Sequence, residues 1–259
     1  MLEELRSIRI VKELSKHYVL GLEHHFNNGI QVRAEGYLKR VSNVPDTYIT
    51  FRNIDEFFPE TRDDLMKLII DKSTSKGVEV YAKYDTGNKF SWWLSYVLSE
   101  ATDDVLAIDY AGPLELRTGN VPRPWDQRHT INLDVNYRPN RKWHFNIAWQ
   151  YRSGWPYTPF EVRRVARGDG TFAHYRENGL YNSLIYPAYH RLDIRINRHF
   201  YTSRGKVTVF LHVINAYNHE NVNNYDYSIL KDTAEDFRFE IDTETWFPIL
   251  PFVGVSWEF

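Results

Sequence analysis

Residues 131–152 read INLDVNYRPNRKWHFNIAWQYR, and their alternation decides the fold. Ile131, Leu133, Val135 and Tyr137 interleave with Asn132, Asp134, Asn136 and Arg138. Pro139-Asn140-Arg141 turns the chain, and Trp143, Phe145, Ile147, Trp149 and Tyr151 then run against Lys142, His144, Asn146, Gln150 and Arg152. A period of two sends successive side chains to opposite faces of a strand. The stretch therefore predicts a hairpin with one apolar and one polar face.

The same pattern recurs outward in both directions. Before it, His17 to Phe26 and Ile30 to Val41 flank the tight-turn signal Asn27-Asn28-Gly29. Val78 to Tyr84 and Phe90 to Ser99 flank Asp85-Thr86-Gly87-Asn88. After it, Tyr189 to Phe200 and Lys206 to Asn215 are joined across Thr202-Ser203-Arg204-Gly205. The chain closes on Phe252 to Phe259, with Val253, Val255, Trp257 and Phe259 on one side. These are nine candidate strands, most of them about eight to twelve residues long, near what a tilted strand needs to cross hydrocarbon. Strands of soluble sheets are commonly about five or six residues long.

The polar faces carry full charges in mid-strand: Arg33, Glu35, Glu79, Lys83, Asp134, Arg138, Asp193 and Arg195. Such charges suit a wet lumen, and they suit the solvent face of a soluble sheet equally well. Aromatic residues near both ends of apolar faces favour the membrane, where they form belts at the two interfaces. The connections alternate as well. Short ones lie near 27–29, 85–88, 139–141 and 201–205, and long ones cover roughly 42–75, 100–128, 153–188 and 215–251. Transmembrane barrels of the outer membrane have short periplasmic turns and long outer loops. The fold class expected is thus all-β, an antiparallel transmembrane β-barrel. An odd count leaves edges that lipid does not tolerate, so about nine strands predict an incomplete segment of a larger barrel. Residues 1–16 look like the tail of an outer loop.

Composition sets outer bounds. The 259 residues carry 32 basic and 34 acidic side chains, a formal charge of -2, so nucleic acid is not an expected partner. Cysteine is absent, which removes disulfides and thiolate metal sites. The N-terminus lacks the apolar core of a signal peptide, and no run of 18 apolar residues offers a membrane helix. A mean hydropathy of -0.53 suggests a soluble chain, yet a barrel strand needs only one apolar face.

The order and spacing of several segments resemble the C-terminal end of the β-barrel of a TonB-dependent outer-membrane receptor. They are HYVLGLEHHFNNGIQVRAEGYLKRV (17–41), SKGVEVYAKY (75–84), PRPWDQRHTINLDVNYRPN (122–140), WHFNIAWQYRSGWPYTPF (143–160), YHRLDIRINRHF (189–200), VTVFLHVINAYNHENV (207–222) and PFVGVSWEF (251–259). The most specific pieces are Trp125-Asp126-Gln127-Arg128-His129, Gly154-Trp155-Pro156-Tyr157-Thr158-Pro159, Asn215-Ala216-Tyr217-Asn218 and the aromatic terminus. The resemblance implies a barrel of about 22 strands in the outer membrane of a Gram-negative bacterium, surrounded by lipid. It implies energised uptake of a bulky solute such as an iron–siderophore complex, no enzyme activity and no cofactor. It also implies that Val253, Val255, Trp257 and Phe259 form the signal read by the barrel assembly machinery. A plug domain, the motif for the TonB-type energy coupler and the early barrel strands are not visible, so coupling is expected only through those missing parts.

Candidate solute contacts lie where strands emerge into long loops: Arg152, Trp155 and Tyr157, then Tyr217, Asn218 and Tyr225. They suit stacking or hydrogen bonding to a polar ligand. The plainer reading makes them girdle and loop-packing residues. No metal site is expected, because His24 and His25 face opposite sides of a strand. Asp63-Asp64, Asp103-Asp104 and His219-Glu220 read as solvated charges in loops, and Arg167-Gly168-Asp169-Gly170 lacks the lysine of a phosphate cradle. Two other classes stay open: another outer-membrane barrel (porin, adhesin or barrel protease), and a soluble all-β binding module.

Overall fold

The computed structural model describes residues 12–50, 65–87, 89–110, 118–233 and 235–259. The secondary structure of these residues is almost entirely antiparallel strand. In chain order the strands are β1 (Leu14–His25), β2 (Ile30–Ser42), β3 (Thr47–Thr50), β4 (Leu65–Tyr84), β5 (Phe90–Tyr110) and β6 (Gly119–Pro122). Then come β7 (His129–Asn140), β8 (Trp143–Arg152), β9 (Pro156–Tyr157), β10 (Phe160–Ala166), β11 (Phe172–Asn178) and β12 (Leu184–Ile185). The last are β13 (Tyr189–Thr202), β14 (Gly205–Ile214), β15 (Val222–Asp232), β16 (Phe237–Thr245) and β17 (Leu250–Glu258).

The main sheet follows the path β1-β2-β4-β5-β7-β8-β13-β14-β17, an up-and-down meander. All nine candidate strands lie on it. Short β3 and β6 pair onto β4 and β5, and three small sheets join β10 to β11, β9 to β12 and β15 to β16. Among the described residues β1 pairs only with β2 and β17 only with β14, so both outer ladder edges are unpaired.

The register sorts the side chains. One row runs Leu22, Ala34, Val80, Tyr96, Ile131, Tyr151 across the sheet, and another runs Tyr137, Phe145, Ile196, Leu211, Val253. This apolar face is open: Leu20 and Leu22 are each 76% exposed. The opposite face is polar, with rows such as Lys83, Trp93, Asp134, Ala148, Asp193 and Glu23, Arg33, Tyr81, Ser95, Asn132, Gln150, Arg191. Exposed leucine on one face and charge on the other would be a poor soluble sheet. Along β8 the apolar face carries stacked pairs at both ends, Trp143–Phe145 and Trp149–Tyr151, with Ile147 between. Trp143 to Tyr151 spans roughly 26 Å of strand, close to the ~25 Å apolar band of an outer-membrane barrel. Arg198, at the turn end of this face, lays its guanidinium over Trp143 at 4.5 Å and Phe200 at 5.4 Å. An arginine at a membrane interface behaves this way, burying its stem and keeping its charge at the edge.

Two long connections are shorter than the sequence suggests. Segments 42–75 and 100–128 were expected to be loop, but β4 and β5 continue well into them, at 20 and 21 residues. The cause is a small buried core beyond the apolar band, built from Met66, Leu68, Ile70, Val105, Ile108, Val121 and Tyr181. Register shifts at Ile69/Ile70 and Ile70/Lys72 break the alternation there. Asp103 and Asp104 are not free solvated charges. Arg123 meets Asp103 at 2.7 Å and Lys72 meets Asp104 at 2.9 Å. Asp63 and Asp64 lie outside the described residues.

The turns follow their residues. Gly29 (φ 87) closes the β1–β2 hairpin and donates to the Phe26 carbonyl. Arg167-Gly168-Asp169-Gly170 is the β10–β11 turn, with Asp169 accepting from the Thr171 amide and hydroxyl. His24 and His25 diverge as strand geometry requires: His24 packs edge-on to Phe26, and His25 bonds Glu23 at 2.6 Å.

Candidate solute site at the loop end of the polar face

The site begins with two facing strands. The β8–β13 register pairs Arg152 with Tyr189 and Gln150 with Arg191, which brings all four to the loop end of the polar face. Arg191 is fixed from below by Asp193 at 2.9 Å. With its amide oxygen toward Arg191, Gln150 also accepts from Nη2 at 3.0 Å and from Nε at 3.3 Å. Arg152 has a different setting. Its guanidinium lies 5.7 Å from the Tyr189 ring centre, it has no ion pair among the described residues, and its Nε is buried without a hydrogen-bond partner.

The loops supply the walls. The Trp-Asp-Gln-Arg-His lead-in ties three strands together. Asp126 accepts from the Ala101 amide at 2.6 Å, the Gln127 carbonyl accepts from Ser99, and the Gln127 amide donates to the Ser153 carbonyl. Burial pushes the Asp126 carboxyl above its ordinary value. The Gly-Trp-Pro-Tyr-Thr-Pro segment folds back on residues 179–186. The Tyr186 amide donates to the Trp155 carbonyl at 2.9 Å, and Asn182 donates to Thr158 at 3.1 Å. A Cβ on Gly154 would overlap the Tyr186 carbonyl oxygen, so only glycine permits this approach. The second wall comes from the roots of the β15–β16 hairpin. Trp246 is held there by its amide bond to the Asn221 carbonyl at 2.8 Å, and Asn215 donates to the Phe247 carbonyl at 3.2 Å.

Between these walls lies a cavity of about 330 Å³, within the range of small-ligand sites. Arg152, Arg191, Trp155, Tyr186, Trp246 and Phe247 are among its lining residues, and the lining contains no carboxylate. Behind Tyr186 a tyrosine stack connects the two loops: Tyr157–Tyr186 at 4.3 Å, Tyr186–Tyr225 at 5.2 Å and Tyr157–Tyr225 at 5.4 Å. Burial raises the Tyr157 and Tyr186 hydroxyls, which keeps them neutral donors.

Of the six candidates named from sequence, Arg152 and Trp155 line this cavity, and Tyr157 and Tyr225 back it. Tyr217 and Asn218 stand elsewhere. Tyr217 bonds His190 at 2.8 Å, on the apolar side of β13, and His190 stacks on His219 at 3.6 Å. His219 is therefore a packed ring rather than a solvated loop charge. Asn218 accepts from the Ile249 amide and holds the return to β17. The sequence reading missed Gln127, Gln150, Tyr186, Tyr189, Arg191, Trp246 and Phe247. Tyr189 and Arg191 share strand parity with Asp193, which already signalled their face. Nothing in the local sequence pointed to Trp246 and Phe247.

The eight mid-strand charges lie on the polar face. Arg33 pairs with Glu35 at 2.6 Å, Glu79 sits opposite Glu35, and Arg195 bonds Asn197 at 3.0 Å while covering the Phe210 ring at 4.1 Å. Arg138 reaches Ser91 at 3.3 Å. Asp134 joins Asn136, Asn146 and His144 in a connected network.

An antiparallel meander with an open apolar face, a charged reverse face and aromatic pairs at both ends of the apolar run is the strand pattern that outer-membrane β-barrels use. A family model described as TonB dependent receptor-like, beta-barrel matches residues 11–216, and the chain belongs to that family. Members of this family are outer-membrane transport proteins, not enzymes. Among solved structures, the ferric citrate transporter FecA in its unliganded form is similar in fold, with a TM-score of 0.52 and 17% identity. That likeness covers 92% of this chain and 30% of FecA, so the chain spans less than a third of the transporter's length. No curated protein matches the chain.

Proposed function

We propose that this chain forms the C-terminal part of the barrel of an outer-membrane receptor for a bulky solute such as an iron–siderophore complex. In this reading the polar face lines the lumen, the apolar face meets lipid, and the 330 Å³ cavity between the loop roots receives the solute at the outer mouth. The observation that carries it is this cavity's position, at the loop end of a sheet whose family is that of TonB-dependent receptors. The larger barrel, of about 22 strands, is supported by the two unpaired edges. The plug and the TonB-type coupler act through parts outside this sheet. Val253, Val255 and Trp257 alternate along the free edge on the apolar side, and Phe259 follows directly after the strand, as a signal for the assembly machinery would.

The test is solute binding by the full chain refolded in detergent micelles. A panel of ferric hydroxamate, catecholate and citrate chelates is titrated while tryptophan emission is followed. At least one chelate should quench saturably, and Trp155→Phe combined with Trp246→Phe should remove most of the saturable component. Linear quenching by every chelate, unchanged in the double variant, would sink the proposal.

A further inference from the structure

We infer that the cavity selects a solute bearing an anionic group, carboxylate or phosphate, next to a flat apolar ring, with Arg152 as the residue that reads the charge. This rests on the reading of the cavity as a solute site, and adds the chemical class to it.

Charge carries the first half. Two guanidiniums and no carboxylate line the space. Arg191 is already balanced by Asp193. Arg152 is not: among the described residues it has no ion pair, its guanidinium lies over the Tyr189 ring, and its Nε is buried without a hydrogen-bond partner. A half-buried cation without a counter-charge is held at a cost. An arriving anion removes that cost and gains charge-assisted hydrogen bonds from the planar fork. A cationic solute would meet both arginines, and a neutral one would leave Arg152 as it is.

Shape carries the second half. Four aromatic residues, Trp155, Tyr186, Trp246 and Phe247, are among the lining residues, contributed by two walls. Aromatic walls reward a flat apolar body, which they cover by stacking. The wall positions are fixed by backbone bonds at Trp155, Tyr186 and Trp246, so the walls are set before a ligand arrives.

The test uses three probes with one ring and three charges: 2-naphthoate, 2-naphthamide and 2-naphthylmethylammonium. Each is titrated calorimetrically into the full chain in neutral detergent micelles. Naphthoate should bind at least about tenfold tighter than naphthamide, with the ammonium weakest. Arg152→Met should bring naphthoate down to the naphthamide level and leave naphthamide unchanged, while Arg152→Lys keeps part of the preference. Far-UV circular dichroism and tryptophan emission of each variant confirm folding, and Arg152→Lys carries the comparison if Arg152→Met does not fold. Equal binding of all three probes would overturn the charge assignment and leave the cavity as a solute site. A preference that persists in Arg152→Met would overturn the role of Arg152. No saturable binding of any probe would overturn this inference, while the ferric-chelate titration judges the receptor reading independently.

Discussion

Single side chains at the loop end act as ties, and several motifs that look like binding sequence are this kind of tie. Asn215 is fully buried, in a left-handed turn (φ 53), and bonds the backbone at His219 and Phe247. Asn221 clamps both backbone groups of His190. Asp126 gives a pH test. Its carboxyl is raised by burial, so the fold disfavours its charged form. That stability term is fully present below the ordinary carboxylate range and is lost as pH rises through the raised value. Asp126→Asn, which cannot ionise, should flatten this slope in urea unfolding followed by tryptophan emission. Asp126→Ala should cost about 1–3 kcal/mol by stranding the Ala101 amide. Gly154→Ala should cost about as much through the clash with Tyr186, and proteolysis within 179–186 should quicken. At this scale the sequence exposed Arg152 and Trp155, because both follow a strand whose parity is plain. Trp246 and Phe247 reach the same cavity only through the β15–β16 hairpin, a return that no spacing encodes.

Strands were legible wherever their two faces meet different surroundings. The nine alternating runs all became ladder strands for that reason. The outer halves of β4 and β5 were not legible, because bulges shift their register and their apolar side chains pack on each other and on Tyr181 instead of following one face. The membrane assignment of the faces can be tested on neighbouring residues of β4. Val80→Arg, on the apolar face, should cost about 2–4 kcal/mol in lipid vesicles. Glu79→Arg, on the polar face opposite Glu35, should stay within roughly 0.5 kcal/mol. Equal costs would refute a lipid-facing apolar side. The outer hairpins make a second case. Arg164 of β10 bonds Asp232 of β15 at 2.9 Å and the Thr233 carbonyl at 2.6 Å, and His174 of β11 meets Asp232 at 3.2 Å. Asp232→Ala should loosen this latch. Spin labels at cysteines introduced at Thr171 and Glu235, in a chain with no native cysteine, should report a broader distance distribution in the variant. An unchanged distribution would mean that the ring contacts around Phe172 and Phe237 suffice.

Taken whole, the molecule has its outer core, its cavity and its hairpins at one end, and short turns at the other. The turn end is markedly basic. A hollow of about 440 Å³ is lined there by Lys89, Arg138, Arg141, His144, His199 and Lys206, with no carboxylate in its lining. The path of the sheet has a mechanical consequence. Apart from the short β3 and β6 held by β4 and β5, each of its nine strands pairs, among the described residues, only with its neighbours along the path, so the sheet behaves as a one-dimensional chain of ladders, as repeat arrays do. Force applied between a lipid-anchored sheet and Phe259 loads a single ladder at a time. The strand β17 peels from β14, then β14 from β13, each release paying out one strand with the connection behind it, in turn an outer loop and a short turn. Single-molecule extraction from a bilayer should record a staircase of peaks, its spacing long where hairpins β15–β16 and β10–β11 are released and short at the turns.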